Sequence, residues 1–401
     1  MISSLLMRPS LSRIPGVTIL RRSLATLSNP LPVAQLREKS MMKPSCGPLP
    51  QRLTESGHPW VYWPEIENIK ELNPLPPGSI VRLLGPDGSD LGLGLLNRSS
   101  SIPVRVLTRS SPSSTVTEDY ISALLRRRAH KAVSRSLALP TIARHRCGRL
   151  ITGEADGLPG ITCDLLRAAD DKGRGSILIF KFDTYGEEFS WDKVVRDEVC
   201  DSIHDITAVV VHKMNWRKER HGADGKEFTT TLVRGSESVL DGAYVVEGQT
   251  HFQLPLMDVH HQSMWPFHEA DMRQRLQPCV RGRTVLDVSC GYGGWGIRAA
   301  KEGAAAEVVM LDEAVRAVRF AETNSKINGV DDKVSILLRN DLENELEAMA
   351  ASRLFFDVVI LHAYPQIKKR ERVSFGQLGR ELVASAEGCV SITTASNMRV
   401  G

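Results

Sequence analysis

The 401-residue chain has no Cys-x-x-Cys pair, few aromatic residues, and no apolar run close to the roughly 20 residues that span a bilayer. Its seven cysteines, at 46, 147, 163, 200, 279, 290 and 389, are odd in number and scattered. That distribution argues against a disulfide framework and a zinc site, and it fits a reducing compartment. His260 and His261 with His268 and Glu269 lack helical metal-ligand spacing and read as surface or substrate-side groups, so no metal is expected. Without a spanning segment, no membrane role is expected either.

A net electrostatic field is missing as well. Residues 1 to 30 hold Arg8, Arg13, Arg21 and Arg22 among many serines and leucines, with no Asp or Glu. This is the composition of an organelle transit peptide and points to the mitochondrial matrix. Those four arginines account for the whole excess of charge, since the remaining 47 basic residues equal the 47 acidic ones. Binding to nucleic acid would therefore rely on local patches.

What is present centres on Thr284-Val285-Leu286-Asp287-Val288-Ser289-Cys290-Gly291-Tyr292-Gly293-Gly294-Trp295-Gly296. An apolar run, a glycine-dense turn and a helix-compatible continuation read as strand, loop and helix, the first unit of an open α/β sheet. Glycines let a ligand approach the backbone, and the helix start offers unpaired N–H groups. Gly291-x-Gly293-x-x-Gly296 also fits the dinucleotide pattern, so the spacing alone leaves NAD and S-adenosylmethionine both open. Three further strands are expected at 307–311, 334–338 and 355–361. Ala314, Ala317, Val318 and Ala321 mark an amphipathic helix closed by Asn328-Gly329. Asp312 ends the second strand, placed to accept from ribose hydroxyls, and Asn340-Asp341 follow the third, placed to read an adenine edge. Asp287, just ahead of the glycines, would repel a pyrophosphate and attract an amino group or sulfonium, which favours the methyl donor.

Upstream, residues 31 to 50 read as a linker, rich in proline and polar side chains. Short strands between turn signals, from Gly57-His58-Pro59-Trp60-Val61 to Leu107, suggest a small barrel whose Trp60, Tyr62 and Trp63 either stack on bases or fill its core. Residues 121 to 150 form a basic helical stretch that reads as a solvated face or a phosphate-tracking surface, and Trp216-Arg217-Lys218-Glu219-Arg220-His221, one aromatic among cations, forms a second basic knot after the strand at 208–212.

Glu154-Ala155-Asp156-Gly157-Leu158-Pro159-Gly160-Ile161-Thr162-Cys163-Asp164 resembles the signature of the S-adenosylmethionine-dependent methyltransferases that place 5-methylcytosine in large-subunit ribosomal RNA. The Gly57–Val61 element and the Val246-Glu247-Gly248…Phe252 junction resemble that family too. The resemblance implies an N-terminal β-barrel PUA-like RNA-binding domain (44–110) after a transit peptide and linker (1–43). A small central α/β domain (111–250) and a Rossmann-like methyltransferase domain (251–401) follow. It implies S-adenosyl-L-methionine as cofactor, held by Asp287, Ser289, Gly291, Gly293, Gly294, Asp312, Asn340 and Asp341, and RNA as partner, with ribosomal proteins besides.

The family's catalytic pattern is different here. Its Asp-Pro-Pro after the fourth strand is replaced by Leu361-His362-Ala363-Tyr364-Pro365, and Thr394 stands where a Ser-Cys-Ser nucleophile is expected, with Cys290 and Cys389 the nearest thiols. Its Lys-Thr-Gly…Asp-x-Arg segment is represented by His261–Glu269, without the key polar types. The chain ends at Gly401, close behind the fifth strand, so a sheet short of one or two strands is expected. Two functional expectations follow: an organellar ribosomal-RNA methyltransferase, or a catalytically inactive relative serving as a structural or assembly factor of an organellar ribosome.

Overall fold

Short strands that alternate with glycine-marked turns pair into the first of three sheets. The structure, a computed structural model, describes residues 30–38, 49–98, 100, 102–111, 115–168, 175–183, 190–216, 226–241, 243–256, 265–361 and 392–393. The N-terminal sheet comprises β1 (Val33–Gln35), β2 (Trp60–Val61), β3 (Ser79–Leu84), β4 (Asp90–Leu96) and β5 (Val104–Thr108), in the order β1-β3-β4-β5-β2. Helices α1 (Leu49–Thr54) and α2 (Ile69–Leu72) belong to the same module. The segment read as linker thus supplies an edge strand, with Val33 opposite Arg82 in a parallel pair. Three residues carry no legible periodicity, and only the neighbouring strand fixes them.

This sheet is buried on both faces. Val81, Leu83 and Leu96 point into the module's own core with Leu36, Leu53 and Val61. Ile80, Leu93 and Leu95 point the other way, into a core shared with the central domain. A buried ion pair stiffens the module: Arg52 Nη2 donates to both Glu65 oxygens, at 2.9 and 2.8 Å.

The central domain contributes α3 (Glu118–Leu137), α4 (Pro140–His145), β6 (Gly148–Thr152), β7 (Ile161–Arg167), β8 (Ser176–Phe182), α5 (Trp191–Asp201), β9 (Ile206–Trp216), β10 (Lys226–Arg234), α6 (Glu237–Asp241), β11 (Tyr244–Glu247) and β12 (Thr250–Gln253). Its seven-stranded sheet runs β10-β9-β8-β7-β11-β12, with β6 also on β7. The expected boundary at 250 falls inside β12. Strands here read as unbroken apolar runs because both faces are covered. Leu178, Phe180, Val209 and Val211 face α3 and α5, while Ile177, Ile179, Ala208 and Val210 face the core shared with the methyltransferase domain. The three domains are therefore packed through common cores.

The Glu154–Asp164 run is a clasp between the first two domains. Glu154 accepts from Trp60 Nε1 at 3.1 Å and pairs with Arg105. Asp156 caps Thr152 N at 2.6 Å, and Gly157 adopts a φ of 68°. Its carbonyl, with that of Leu107, accepts from Arg128 Nη1 at 2.7 and 2.8 Å. The fully buried Asp164 pairs with Arg149, Nε to Oδ1, at 2.5 Å. The Trp60 and Trp63 indoles are likewise committed, Trp63 Nε1 donating to Ser100 O at 3.0 Å. On α3, Ile121, Leu124, Leu125, Ala129, Ala132 and Val133 are buried. Arg126 and His130 share Glu198, Arg135 pairs with Asp156, and Arg127 and Lys131 face water one turn apart.

The third sheet is parallel throughout: β13 (Thr284–Val288), β14 (Glu307–Asp312), β15 (Val334–Leu338), β16 (Val358–Leu361) and β17 (Ile392–Thr393), in the order β15-β14-β13-β16-β17. Helices α7 (Ala270–Val280), α8 (Gly296–Lys301), α9 (Val315–Ile327) and α10 (Leu342–Ala351) cover it. The fourth strand begins at Val358, later than the apolar run suggests, because Asp357 turns back to accept from Thr284 N at 2.8 Å and Thr284 Oγ1 at 3.0 Å. Strand order reverses between β13 and β16, and in open sheets ligands bind at the carboxyl edge beside such a switch point. No helix among the described residues is long and apolar enough to cross a membrane.

Candidate cofactor site

The turn after β13 lies at that edge. Ser289, Gly291 and Gly293 have φ of 60°, 56° and 88°, three left-handed conformations in five residues. A side chain at Ser289 resists this conformation, so the surrounding bonds must hold it there. Cys290 N donates to Leu311 O at 3.0 Å, and Gly293 N to Cys290 O at 2.9 Å. Gly296 serves packing rather than ligand approach, since a Cβ there would run into Met310 of β14.

Asp287 is fully buried, and its Oδ2 accepts from Gly296 N at 2.9 Å. It therefore shapes the turn from beneath instead of standing open at the strand tip. This arrangement also discriminates between cofactors. A dinucleotide pyrophosphate would seek the N–H groups at the start of α8, where a buried carboxylate already sits.

Asp312, at the end of β14, ties the turn from the side. Its Oδ2 accepts from Gly291 N at 2.8 Å and its Oδ1 from Ala314 N at 2.9 Å. Each carboxylate oxygen retains acceptor capacity beyond one bond, so ribose hydroxyls can still be received. The structure thus gathers Asp287, Ser289, Gly291, Gly293, Gly294 and Asp312 into one turn. Asn340 and Asp341 follow β15, the next parallel strand, and are exposed. Asp341 is the N-cap of α10, accepting from Asn344 N at 3.0 Å and Asn344 Nδ2 at 2.7 Å. That local role was not read from the sequence, although Asp ahead of an apolar run is a capping signal.

Cys290 is no substitute nucleophile. Burial raises its thiol pKa well above the usual value, and the Asp287 and Asp312 carboxylates raise it further. The thiolate that attack requires is thereby suppressed. Iodoacetamide at pH 7.5 should leave Cys290 unmodified in the folded chain and label it on unfolding, as read by peptide mass spectrometry; labelling of the native chain would restore it as a candidate. Cys389, Thr394, His362–Pro365, the basic residues 217–221, and His260 with His261 lie outside the described residues.

Beneath the turn lies a buried polar network missed in the sequence. Arg273 on α7 donates to Glu247 through Nε at 2.9 Å and Nη2 at 2.6 Å, and to Glu269 through Nη1 at 3.0 Å. Glu247 also receives Trp265 Nε1 at 2.5 Å and Arg298 Nη1 at 3.2 Å, while Trp295 Nε1 reaches Glu269 at 3.1 Å. The Arg273 guanidinium lies over Trp265, 5.0 Å from the ring centroid. Gly294 packs against Trp265, so this network underpins the turn directly. The Asp-x-Arg spacing sought at His261–Glu269 is in fact present just beyond, at Asp271-Met272-Arg273.

Two asparagines, Asn324 on α9 and Asn328 at its C-cap, complete the support. Asn328 Oδ1 accepts from His251 N at 3.0 Å and Asn324 Oδ1 from Gln253 N at 2.8 Å, so their amides cap the free edge of β12. Asn324 Nδ2 also reaches Tyr292 O in the turn at 3.0 Å. One helix thus links the domain junction to the glycine loop.

A parallel sheet in this order, with a glycine turn bracketed by two strand-end acids, defines a Rossmann-like methyltransferase domain. Family profiles agree: a PUA-like domain matches residues 51–109 and a methyltransferase small domain residues 272–391. Ribosomal RNA large subunit methyltransferase I of Aeromonas hydrophila is 30% identical over 313 residues, covering 76% of this chain and 71% of that protein. Its counterpart in Photobacterium profundum is 28% identical over 316 residues, with the same coverage. The chain belongs to the ribosomal RNA large subunit methyltransferase I family. Among solved structures, a candidate SAM-dependent methyltransferase from Streptococcus mutans superposes with a TM-score of 0.65 at 16% identity, over 92% of this chain and 88% of that one. Another candidate methyltransferase, solved with SAH, gives 0.66 at 15% identity with the same coverage. These two likenesses establish a common fold.

Proposed function

We propose that this chain transfers a methyl group from S-adenosylmethionine to large-subunit ribosomal RNA in the mitochondrial matrix. The observation that carries the reading is the Asp287–Gly296–Asp312 arrangement, in a chain that aligns over most of its length with a methyltransferase named for that RNA. The bound donor supplies an electrophilic methyl group. In this reading Asp312 receives the ribose hydroxyls and the Gly291–Gly294 backbone packs against the donor's amino-acid tail. Asp287 holds the turn in shape, and Asn340 and Asp341 border the base. The N-terminal module and the exposed Arg127–Lys131 face of α3 offer the RNA surface. The Arg-rich, acid-free leader supports the organellar location.

A second reading, that of an inactive scaffold of an organellar ribosome, is favoured by Thr394 at the expected cysteine position and by the replaced Asp-Pro-Pro. Incubating purified chain with tritiated donor and undermethylated large-subunit RNA separates the two. Sustained incorporation, located by nuclease digestion to one nucleotide, is expected; tight RNA binding with no incorporation would instead establish the scaffold.

A further inference from the structure

A cavity of about 300 Å³ opens between the central and methyltransferase domains, lined by Tyr244, His251, Gln253 and Ile327. Its size is at the lower end of the range for small-molecule sites, roughly 300–1,000 Å³. Tyr244 and His251 come from the β11–β12 hairpin, their ring centroids 5.6 Å apart and tilted by 46°. Ile327, at the C-terminal end of α9, is 51% exposed. The surroundings are cationic. Arg167, the register partner of Tyr244, sits 5.7 Å over its ring. Burial lowers the His251 pKa, and Lys301, Arg167 and His145 lower it further; Arg144 acts in the same sense on His145. The nearby acid, Glu302, is committed to Arg298, Thr250 Oγ1 and Gln249 N.

The pocket adjoins the support of the glycine turn: Gln253, in its lining, is bonded to Asn324, whose Nδ2 reaches Tyr292 O in the turn at 3.0 Å. Ile327 stands at the far end of α9, whose 13 residues start beside Asp312 at the carboxyl edge of the sheet and run about 20 Å. Aromatic rings beside cations form the usual cradle for an unstacked base with its phosphate.

We propose that this pocket anchors one unpaired nucleotide of the RNA, its base against Tyr244, His251 and Ile327 and its phosphate toward Arg167 and Lys301. The proposal rests on the RNA-methyltransferase reading. It makes the domain junction a second RNA contact that sets which stretch of substrate reaches the donor turn. Arg144, in the last turn of α4 just after the basic helix α3, extends the same positive surface.

The test measures binding of a fluorescent twelve-nucleotide single-stranded oligouridine to the full chain by anisotropy, for wild type, Ile327→Glu, Ile327→Leu and His251→Ala. Ile327→Glu should weaken binding at least tenfold and His251→Ala about fivefold, with Ile327→Leu within twofold of wild type. Melting temperature and SAH affinity should not change, and 4-thiouridine in the oligonucleotide should crosslink to the peptide carrying Tyr244 or His251. Wild-type binding that Ile327→Glu and His251→Ala leave within twofold overturns the pocket assignment alone. Uridine monophosphate that binds in an Ile327→Glu-sensitive manner, while oligonucleotide affinity ignores the substitution, overturns it in favour of a free nucleotide. Failure of the wild-type chain to bind any RNA overturns this proposal together with the RNA reading beneath it.

Discussion

Replacing Arg273 with alanine should destabilise the folded chain by about 3–5 kcal/mol, because it removes the guanidinium shared by Glu247 and Glu269 in a site closed to water, where Trp265 and Arg298 on Glu247 and Trp295 on Glu269 cannot replace its three bonds. Arg273 is 1% exposed, and Glu247 and Glu269 are 6% and 5% exposed at the side chain, so water cannot take over the lost bonds. Arg273→Lys should recover little. One ammonium cannot reproduce three guanidinium nitrogens directed at two acids and the Pro266 carbonyl, nor the flat stacking on Trp265. Urea unfolding followed by tryptophan fluorescence measures the effect, with Trp265 and Trp295 as reporters at the network itself. A loss below about 1 kcal/mol, the scale of an exposed ion pair, would show that the network is not closed to solvent. The same substitution should loosen the glycine turn, since Trp265 is the surface on which Gly294 rests.

Asp312→Asn should weaken donor binding roughly 30-fold, or about 2 kcal/mol, the scale of a hydrogen bond to a charged group. Both Asp312 oxygens now accept backbone N–H groups, from Gly291 and Ala314. An asparagine keeps one acceptor and turns an NH₂ toward the other N–H, so one end of the turn is pushed away and the acceptor for the ribose is weakened. Titration calorimetry with SAH, on wild type and variant, gives the comparison directly. Affinity within threefold of wild type would remove Asp312 from the donor site and leave it as a clamp on the turn.

The parts of the site that were legible in the sequence share a property: their signal is local. Asp287 and the glycines are contiguous, Asp312 ends a strand that its own apolar run announces, and α9 carries its own period. What escaped was encoded over long separations. The partner of Arg273, Glu247, is 26 residues away, and Asn324 meets Gln253 across 71. A charged residue in a helix reads as a solvated one until the opposite acid is brought beside it. The Glu154–Asp164 run shows the converse limit. Its resemblance located the chain correctly, yet its residues turn out to join two domains, with Glu154 gripping Trp60 from 94 positions away.

Taken alone, the amino-acid order settled the class of architecture, the position of the glycine turn and the methyl donor favoured over a dinucleotide, because strand periods, turn residues and helix caps act within a few positions of themselves. Only the folded chain decided that Asp287 supports the turn from below and that burial, together with two neighbouring carboxylates, pushes the Cys290 thiol pKa up. It also decided that the three domains share their cores, because burial and pairing between distant segments exist only once the sheets have packed.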